Sequence, residues 1–195
     1  TNGTTAVTQT GTDAINLGGA WNIDVGNGSA TGRNVVAGSW QNGVVDPDAA
    51  GQVDLIGNYV SIDATGAAAL PVSVTGLTVG GSSPSSASWV HGNRIGADAS
   101  TGVAIRVGQQ AAYVYDNTLG IGVGGENLPM AGGIVVTGDG NFVGAYDGGD
   151  GNVICASRQS AAIVVNGNSN AFYENWLGVR RDGTDCTGTS ANYGG

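Results

Sequence analysis

Few residues of this 195-residue chain have side chains suited to acid–base chemistry, and they are widely spaced. The one histidine is His91, which we interpret as a corner or surface residue. Lysine is absent, and an arginine that abstracts a proton needs a strongly lowered pKa. Arg94, Arg106 and Arg158 lie apart in the sequence with no acidic cluster beside them. We therefore predict no catalytic residue.

Two further groups of residues could bind ligands. Asp147 and Asp150 belong to an Asp/Gly/Asn-rich stretch whose oxygen atoms suit a structural calcium ion, although Asp-Gly is also an ordinary turn sequence. The four tryptophans and the six tyrosines could form a platform on which sugars stack, or could instead fill the core and cover its ends; the tryptophans are Trp21, Trp40, Trp89 and Trp176.

The two cysteines, Cys155 and Cys186, are 31 residues apart. A single pair favours one disulfide in an oxidising compartment, and the alternative is two free thiols.

The composition excludes several classes of protein. Glycine accounts for 37 residues, hydrophobic residues for 41 % and charged residues for 11 %, which disfavours helical folds and disorder. The net charge of −9 argues against nucleic acid as a partner. No apolar run reaches about 18 residues, so no membrane span is expected.

An internal repeat is the most informative feature of the sequence. Short apolar runs begin after an asparagine, and successive asparagines are separated alternately by 23–24 and by 35 residues. Every second asparagine is therefore 58 or 59 residues away. We predict that these residues occupy coil corners, tolerate left-handed backbone and bond to one another in a ladder: Asn34, Asn58, Asn93, Asn117, Asn152 and Asn175.

A turn of 24 to 35 residues built from short strands is the size of one coil of a parallel β-helix, in which stacked coils bury a shared core. We predict an all-β, right-handed parallel β-helix of about six to seven coils, grouped as three double-coil repeats. The single domain spans 1–195, with an extended segment at 1–20, coils at 21–187 and a tail at 188–195.

The segments Gly92–Asp98 and Asn175–Thr184 carry an Asn-x-(Ile/Leu)-Gly pattern. In this respect the chain resembles the secreted right-handed parallel β-helix proteins of the pectate-lyase-like type. The resemblance implies a secreted solenoid and does not choose among lyases, tailspikes, adhesins and structural proteins.

Neither end of the sequence carries a recognisable helical cap. We therefore expect a non-enzymatic extracellular protein without a cofactor that forms a fibre or filament with copies of itself, or a piece of a longer protein. The residues expected to pair with a neighbouring copy are Thr1, Asn2, Gly3, Thr4, Thr5, Ala6, Val7 and Thr8. The alternatives are a β-helix that binds or cleaves polysaccharide and an adhesin that uses the loops at 80–88 and 145–151 to bind a cell surface.

Overall fold

The structure is a computed structural model that describes residues 11–18, 22–38, 40–47, 51–70, 72–80, 87–96, 102–108, 111–128, 130–155 and 161–186. Within these ranges the chain winds through six coils, and each coil contributes three short strands. The first three coils contain β1 (Asp13–Asn16), β2 (Ile23–Val25), β3 (Val35–Val36), β4 (Asn42–Asp46), β5 (Val53–Ile56), β6 (Tyr59–Val60), β7 (Thr75–Val79), β8 (Ser88–His91) and β9 (Arg94–Ile95). The next three contain β10 (Val103–Val107), β11 (Ala112–Tyr115), β12 (Thr118–Leu119), β13 (Gly132–Val136), β14 (Phe142–Gly144), β15 (Val153–Ile154), β16 (Ile163–Val165), β17 (Ala171–Tyr173) and β18 (Trp176–Leu177).

Equivalent strands of successive coils pair in parallel and form three six-stranded sheets. We name them sheet A (the first strand of each coil), sheet B (the second) and sheet C (the third). This arrangement confirms the predicted all-β parallel β-helix. The coils begin earlier than expected, because β1 lies inside the segment 1–20 and already pairs with β4.

The core consists of rows of aliphatic side chains that stack along the axis. In sheet C, Val60, Ile95 and Leu119 are in direct register, and each is fully buried. In sheet B, the equivalent row includes Leu55 and Val90. Because side chains alternate across a strand, the residue preceding each of these points outward, and the register therefore also stacks the outward residues.

Within the described residues, three hairpins leave the shaft, one after every second coil. We name them arm 1 (61–70), arm 2 (120–128) and arm 3 (178–186). Each is closed by an antiparallel bridge: Ile62 with Ala69, Ile121 with Asn127, and Val179 with Asp185. The arms follow β6, β12 and β18, which explains why the sequence repeats over two coils rather than one. Arms 1 and 2 lie within the two 35-residue steps between asparagines and account for part of their extra length, which the sequence analysis did not predict.

The arms stack on one another beside sheet C. The amide of Val123 in arm 2 donates to the carbonyl of Gly66 in arm 1 at 2.9 Å. Arg180 of arm 3 donates through Nη2 to the carbonyl of Gly125 in arm 2 at 3.0 Å. The arms and the outward face of sheet C therefore enclose a cleft that runs along the shaft.

Candidate ligand-binding surface

The structure places the six repeated asparagines in one line between sheets B and C. In the first five of them, Nδ2 donates to the Oδ1 of the asparagine in the next coil, at distances from 2.9 to 3.1 Å. From the second coil onward, Nδ2 also donates to a backbone carbonyl of the preceding coil, as Asn93 does to Leu55 at 2.7 Å. Asn58, Asn117 and Asn152 have no exposed surface, so these bonds replace all contact with water. The line is a structural element, and the buried asparagines in its interior have no hydrogen-bonding group left for a ligand.

At four of the six corners the left-handed backbone lies one residue earlier than expected from the sequence. None of the six asparagines has a positive φ among the described residues, whereas Gly57, Gly92, Asp116 and Glu174 do, at 67°, 66°, 54° and 51°. The preceding residue makes the turn, which leaves the asparagine free to point inward along the axis. Glycine is favoured at this position because it has no Cβ to clash.

The two cysteines form a disulfide, as the sequence favoured. Cys155 and Cys186 are 5.8 Å apart at their Cα atoms and are both buried, in contact with Ile121 and Val153. The bond attaches the end of arm 3 to the fifth coil. It is typical of proteins from an oxidising compartment.

Asp147 and Asp150 do not form a cluster of acidic ligands in the described part of the chain. No group of three or more His, Cys, Asp or Glu residues arranged to hold a metal occurs there. Asp147 occupies a turn with a φ of 49°, and Asp150 accepts a hydrogen bond from Arg181 at 2.9 Å. The segment Thr1–Thr8 lies outside the described residues, as do most of loop 80–88 and the side chains of Trp21 and Arg158.

The outward surface of sheet B carries a continuous patch of seven rings. We name it the aromatic face; its members are Trp89, His91, Tyr113, Tyr115, Phe142, Tyr146 and Tyr173. The parallel register produces it, because Trp89 pairs with Tyr113, and His91 pairs with Tyr115, in adjacent coils. Successive coils then bring equivalent outward positions into line.

The rings contact one another closely along the axis. Trp89 and Tyr113 stack with centroids 4.7 Å apart and planes inclined by 18°. His91 and Tyr115 stack at 4.7 Å with planes inclined by 6°. Tyr146 crosses over the row and lies 4.2 Å from Tyr113. The loop at 145–151, which the sequence analysis proposed for binding, is thus part of the aromatic face.

Most of these rings are partly exposed, and Tyr173 is 54 % exposed. Stacked rings stabilise neighbouring coils by about 0.5 to 1.5 kcal/mol per pair. A patch of rings that remains open to solvent also offers flat apolar surface to a ligand.

Acidic groups border the aromatic face at its N-terminal end. Asp54 lies in register with Trp89 on one side and with Asp24 on the other. Burial raises the pKa of the Asp54 carboxyl, hydrogen bonds from Gln52 and Trp89 lower it in part, and the nearby Asp24 raises it. The net result is a pKa above the ordinary value for aspartate.

Burial also acts on the two polar rings at the centre of the face. It lowers the pKa of His91, against the attraction of Asp116 and Asp54, so that the imidazole favours its neutral form. Burial raises the pKa of Tyr115, and the carboxylates of Asp116 and Asp147 raise it further. Both rings therefore present neutral donors and acceptors beside apolar surface, and that combination suits sugar hydroxyls and C–H groups.

The tryptophans and tyrosines were considered for sugar stacking from the sequence, but which of them lie side by side was not predicted. The signal was present in the spacing: Trp89 and His91 precede Tyr113 and Tyr115 by the same 24 residues that separate Asn93 from Asn117. Trp40 and Trp176 are not part of the face, and Trp176 points outward from sheet C at 36 % exposure.

No protein-family model, curated protein or solved structure matches this chain. In the described residues, no helix is long and apolar enough to cross a membrane.

Proposed function

We propose that this chain is an extracellular, non-enzymatic β-helix of the pectate-lyase-like type that binds polysaccharide along the aromatic face. The main support for this proposal is the row of outward rings that runs over consecutive coils, from Trp89 through Tyr113 and Phe142 to Tyr173. A row aligned with the shaft suits a linear polymer, whose successive rings would each meet an aromatic ring. The chain's net charge of −9 favours a neutral glycan over an acidic one.

The neighbouring polar groups support the same ligand class. Tyr113 and Tyr146 share a hydrogen bond between their side chains, which contributes to a raised pKa of Tyr146. Their hydroxyls, with the neutral His91, lie at the edge of flat apolar rings. Protein sites for sugars need apolar contact together with a few polar groups that fix orientation.

The test is a titration of the folded protein with neutral and acidic polysaccharides, followed by calorimetry. Trp89→Ala is expected to weaken binding about tenfold or more, equivalent to about 1.4 kcal/mol. Trp176→Ala is the matched control, because it removes an outward indole from another sheet and should leave the affinity unchanged. No binding to any glycan, or equal losses in the two variants, would overturn the proposal. Release of new reducing ends would instead indicate hydrolysis, with Asp24 and Asp54 as the paired carboxylates.

Self-assembly is the second candidate, and a specific feature of the sixth coil favours it. The core rows continue there in Val165, Phe172 and Leu177, which are 43 %, 37 % and 48 % exposed. Among the described residues, Nδ2 of Asn175 donates only to the carbonyl of Val143, whereas Nδ2 of each of the four preceding asparagines also reaches a further Asn Oδ1. At the other end, Oδ1 of Asn34 accepts no hydrogen bond from the described residues.

The donor at one end and the acceptor at the other are complementary, so a second copy stacked head to tail would extend both the ladder and the core. Sedimentation of the protein over a concentration series tests this. Leu177→Asp should abolish association, while Val123→Asp, which alters an exposed apolar residue of arm 2, should not. A chain that stays monomeric at all concentrations contradicts self-assembly without affecting the glycan proposal.

A further inference from the structure

A cleft of about 380 Å³ lies on the opposite side of the asparagine line from the aromatic face. Its floor is the outward surface of sheet C, at Thr118 and Val153, and its wall is the turn of arm 2 at residues 121–125. Three arginines line it, Arg94, Arg180 and Arg181. The volume falls in the range of sites for small molecules.

Arg94 enters the cleft from the N-terminal side. It extends from β9 and donates through Nη1 to the carbonyls of Ile121 and Gly122, at 2.8 and 2.9 Å. These two bonds fix the plane of the guanidinium and use both hydrogens of Nη1. The guanidinium also makes a side-chain hydrogen bond with Tyr59, and its remaining donors are open to another partner.

Arg180 enters from the C-terminal side, three coils further along the axis. Its Nη2 donates to the carbonyl of Gly125 at 3.0 Å, in the same turn of arm 2 to which Arg94 donates. Its Nε is shielded from solvent and has no hydrogen-bond partner in the described part of the chain. A buried donor without an acceptor costs about 1 to 3 kcal/mol, a penalty that a bound acceptor removes.

No carboxylate of the described residues forms an ion pair with Arg94 or Arg180. Both ion pairs found there belong to Arg181, with Asp116 and with Asp150. The carboxylate of Glu126, which lies in the same turn, accepts a bond from the amide of Gly124 at 2.9 Å and caps its own loop. Glu126 and Asp182 lie near enough to interact electrostatically with Arg94 and Arg180, but neither forms an ion pair with them, so both guanidiniums can still bind an anion in the cleft.

Arg33 adds a further positive charge on this side of the shaft. Arg33 lies over the ring of Tyr59 at 3.7 Å from its centroid, and Tyr59 is in register with Arg94 along sheet C. Burial lowers the pKa of Arg94, and the neighbouring Arg33 lowers it further, while Tyr59 and Glu126 raise it in part. Four of the six basic residues of an acidic chain are thus gathered on this side.

We propose that the cleft binds an oxyanion group, a carboxylate, sulfate or phosphate, held between the guanidiniums of Arg94 and Arg180. The planar fork of guanidinium matches two oxygens of such a group, and the Nε of Arg180 is a donor that no described residue uses. Thr118 and Val153 leave room for the rest of a small ligand above the floor. The inference stands apart from glycan binding on sheet B and does not need it.

The experiment is a calorimetric or NMR titration of the folded chain with sodium sulfate, sodium phosphate and galacturonate, with galactose as the neutral comparison. Binding of the anions and not of galactose is expected. The affinity should fall as sodium chloride is raised, because salt screens the guanidiniums. Tighter binding of galacturonate than of both inorganic ions would identify a sugar acid as the source of the oxyanion, and the reverse order would identify a free inorganic anion.

Arg180→Gln is expected to weaken anion binding at least tenfold, because charge-assisted hydrogen bonds are lost. Arg180→Lys keeps the charge and removes the fork, so it should restore only part of the affinity. Arg106→Gln, on sheet A, is the matched control and should bind as the unmodified chain does. Absence of binding at millimolar anion, or an unchanged affinity in folded Arg180→Gln, overturns the proposal.

Discussion

Replacement of Asn117 tests how much the asparagine line contributes to the stability of the shaft. Its Oδ1 accepts from the backbone amide and from Nδ2 of Asn93, at 3.1 and 3.0 Å. Its Nδ2 donates to Asn152 at 2.9 Å and to the carbonyl of Val90 at 2.8 Å. Asn117→Ala removes these four bonds, together with a further contact of Nδ2 with the carbonyl of Tyr115 at 3.0 Å, and leaves the partners within the coils in a region without exposure to solvent.

The expected loss follows from these contacts. At about 1 kcal/mol per hydrogen bond, four bonds give about 4 kcal/mol, and unsatisfied buried partners increase this figure. Domains of this kind are stable by about 5 to 15 kcal/mol, so Asn117→Ala should remove a large share of the total. Asn34 is the matched control: it is exposed, and its side chain makes one bond, to Asn58 at 3.0 Å. Asn34→Ala should cost about 1 kcal/mol.

Urea denaturation followed by far-UV circular dichroism measures both values. The prediction is a difference of about 3 kcal/mol in the free energy of unfolding between the two variants. Asn117→Asp should be at least as damaging at neutral pH, because a carboxylate cannot donate to Asn152 or Val90. Losses for Asn117→Ala and Asn34→Ala that agree within 1 kcal/mol would refute the reasoning that the buried line holds the coils together.

Three further predictions concern individual residues. Reduction of the Cys155–Cys186 disulfide should lower the free energy of unfolding by about 3 to 4 kcal/mol for a loop of this length, seen as a lower urea midpoint, and an unchanged midpoint would contradict the estimate. Gly144→Ala should lower the free energy of unfolding by more than about 2 kcal/mol, because the new Cβ would overlap a carbonyl of the next coil. Gly148→Ala places its Cβ in open space and should cost about 1 kcal/mol, from its positive φ alone. Equal shifts in the melting temperatures of the two variants would argue against this packing. Burial lowers the pKa of His91 in the folded chain, so the unfolded chain binds a proton there more readily. The free energy of unfolding should therefore fall as pH drops below about 6.5 toward the folded pKa, and His91→Gln should flatten that part of the pH profile.

The fold could be predicted from the sequence because the repeat constrains many residues at once. A 59-residue offset aligns apolar runs and asparagines together, and stacked coils are the arrangement in which such a repeat buries a core. The corner asparagines were recognisable because each must satisfy the same hydrogen bonds in every coil. The exact position of the left-handed residue was not, since both glycine and asparagine tolerate that conformation.

The arms and the two surfaces could not be read from the repeat alone. Arm 2 begins with Ile121, an apolar residue that fits a coil pattern as well as a hairpin, and only its bridge to Asn127 distinguishes the two. The aromatic face depends on which side of each strand points outward, so that a shift of one residue would bury Trp89 and Tyr113. Arg180 meets Gly125 across 55 residues, a contact that no local pattern reveals.

The most direct test of glycan binding is NMR of the indole Nε1–H signals during a titration with an oligosaccharide. Our account predicts that the Trp89 signal shifts and saturates with the dissociation constant measured by calorimetry, while the Trp176 signal stays in place. A titration that saturates by calorimetry while the Trp89 signal does not move would place the ligand elsewhere and contradict the assignment of the aromatic face.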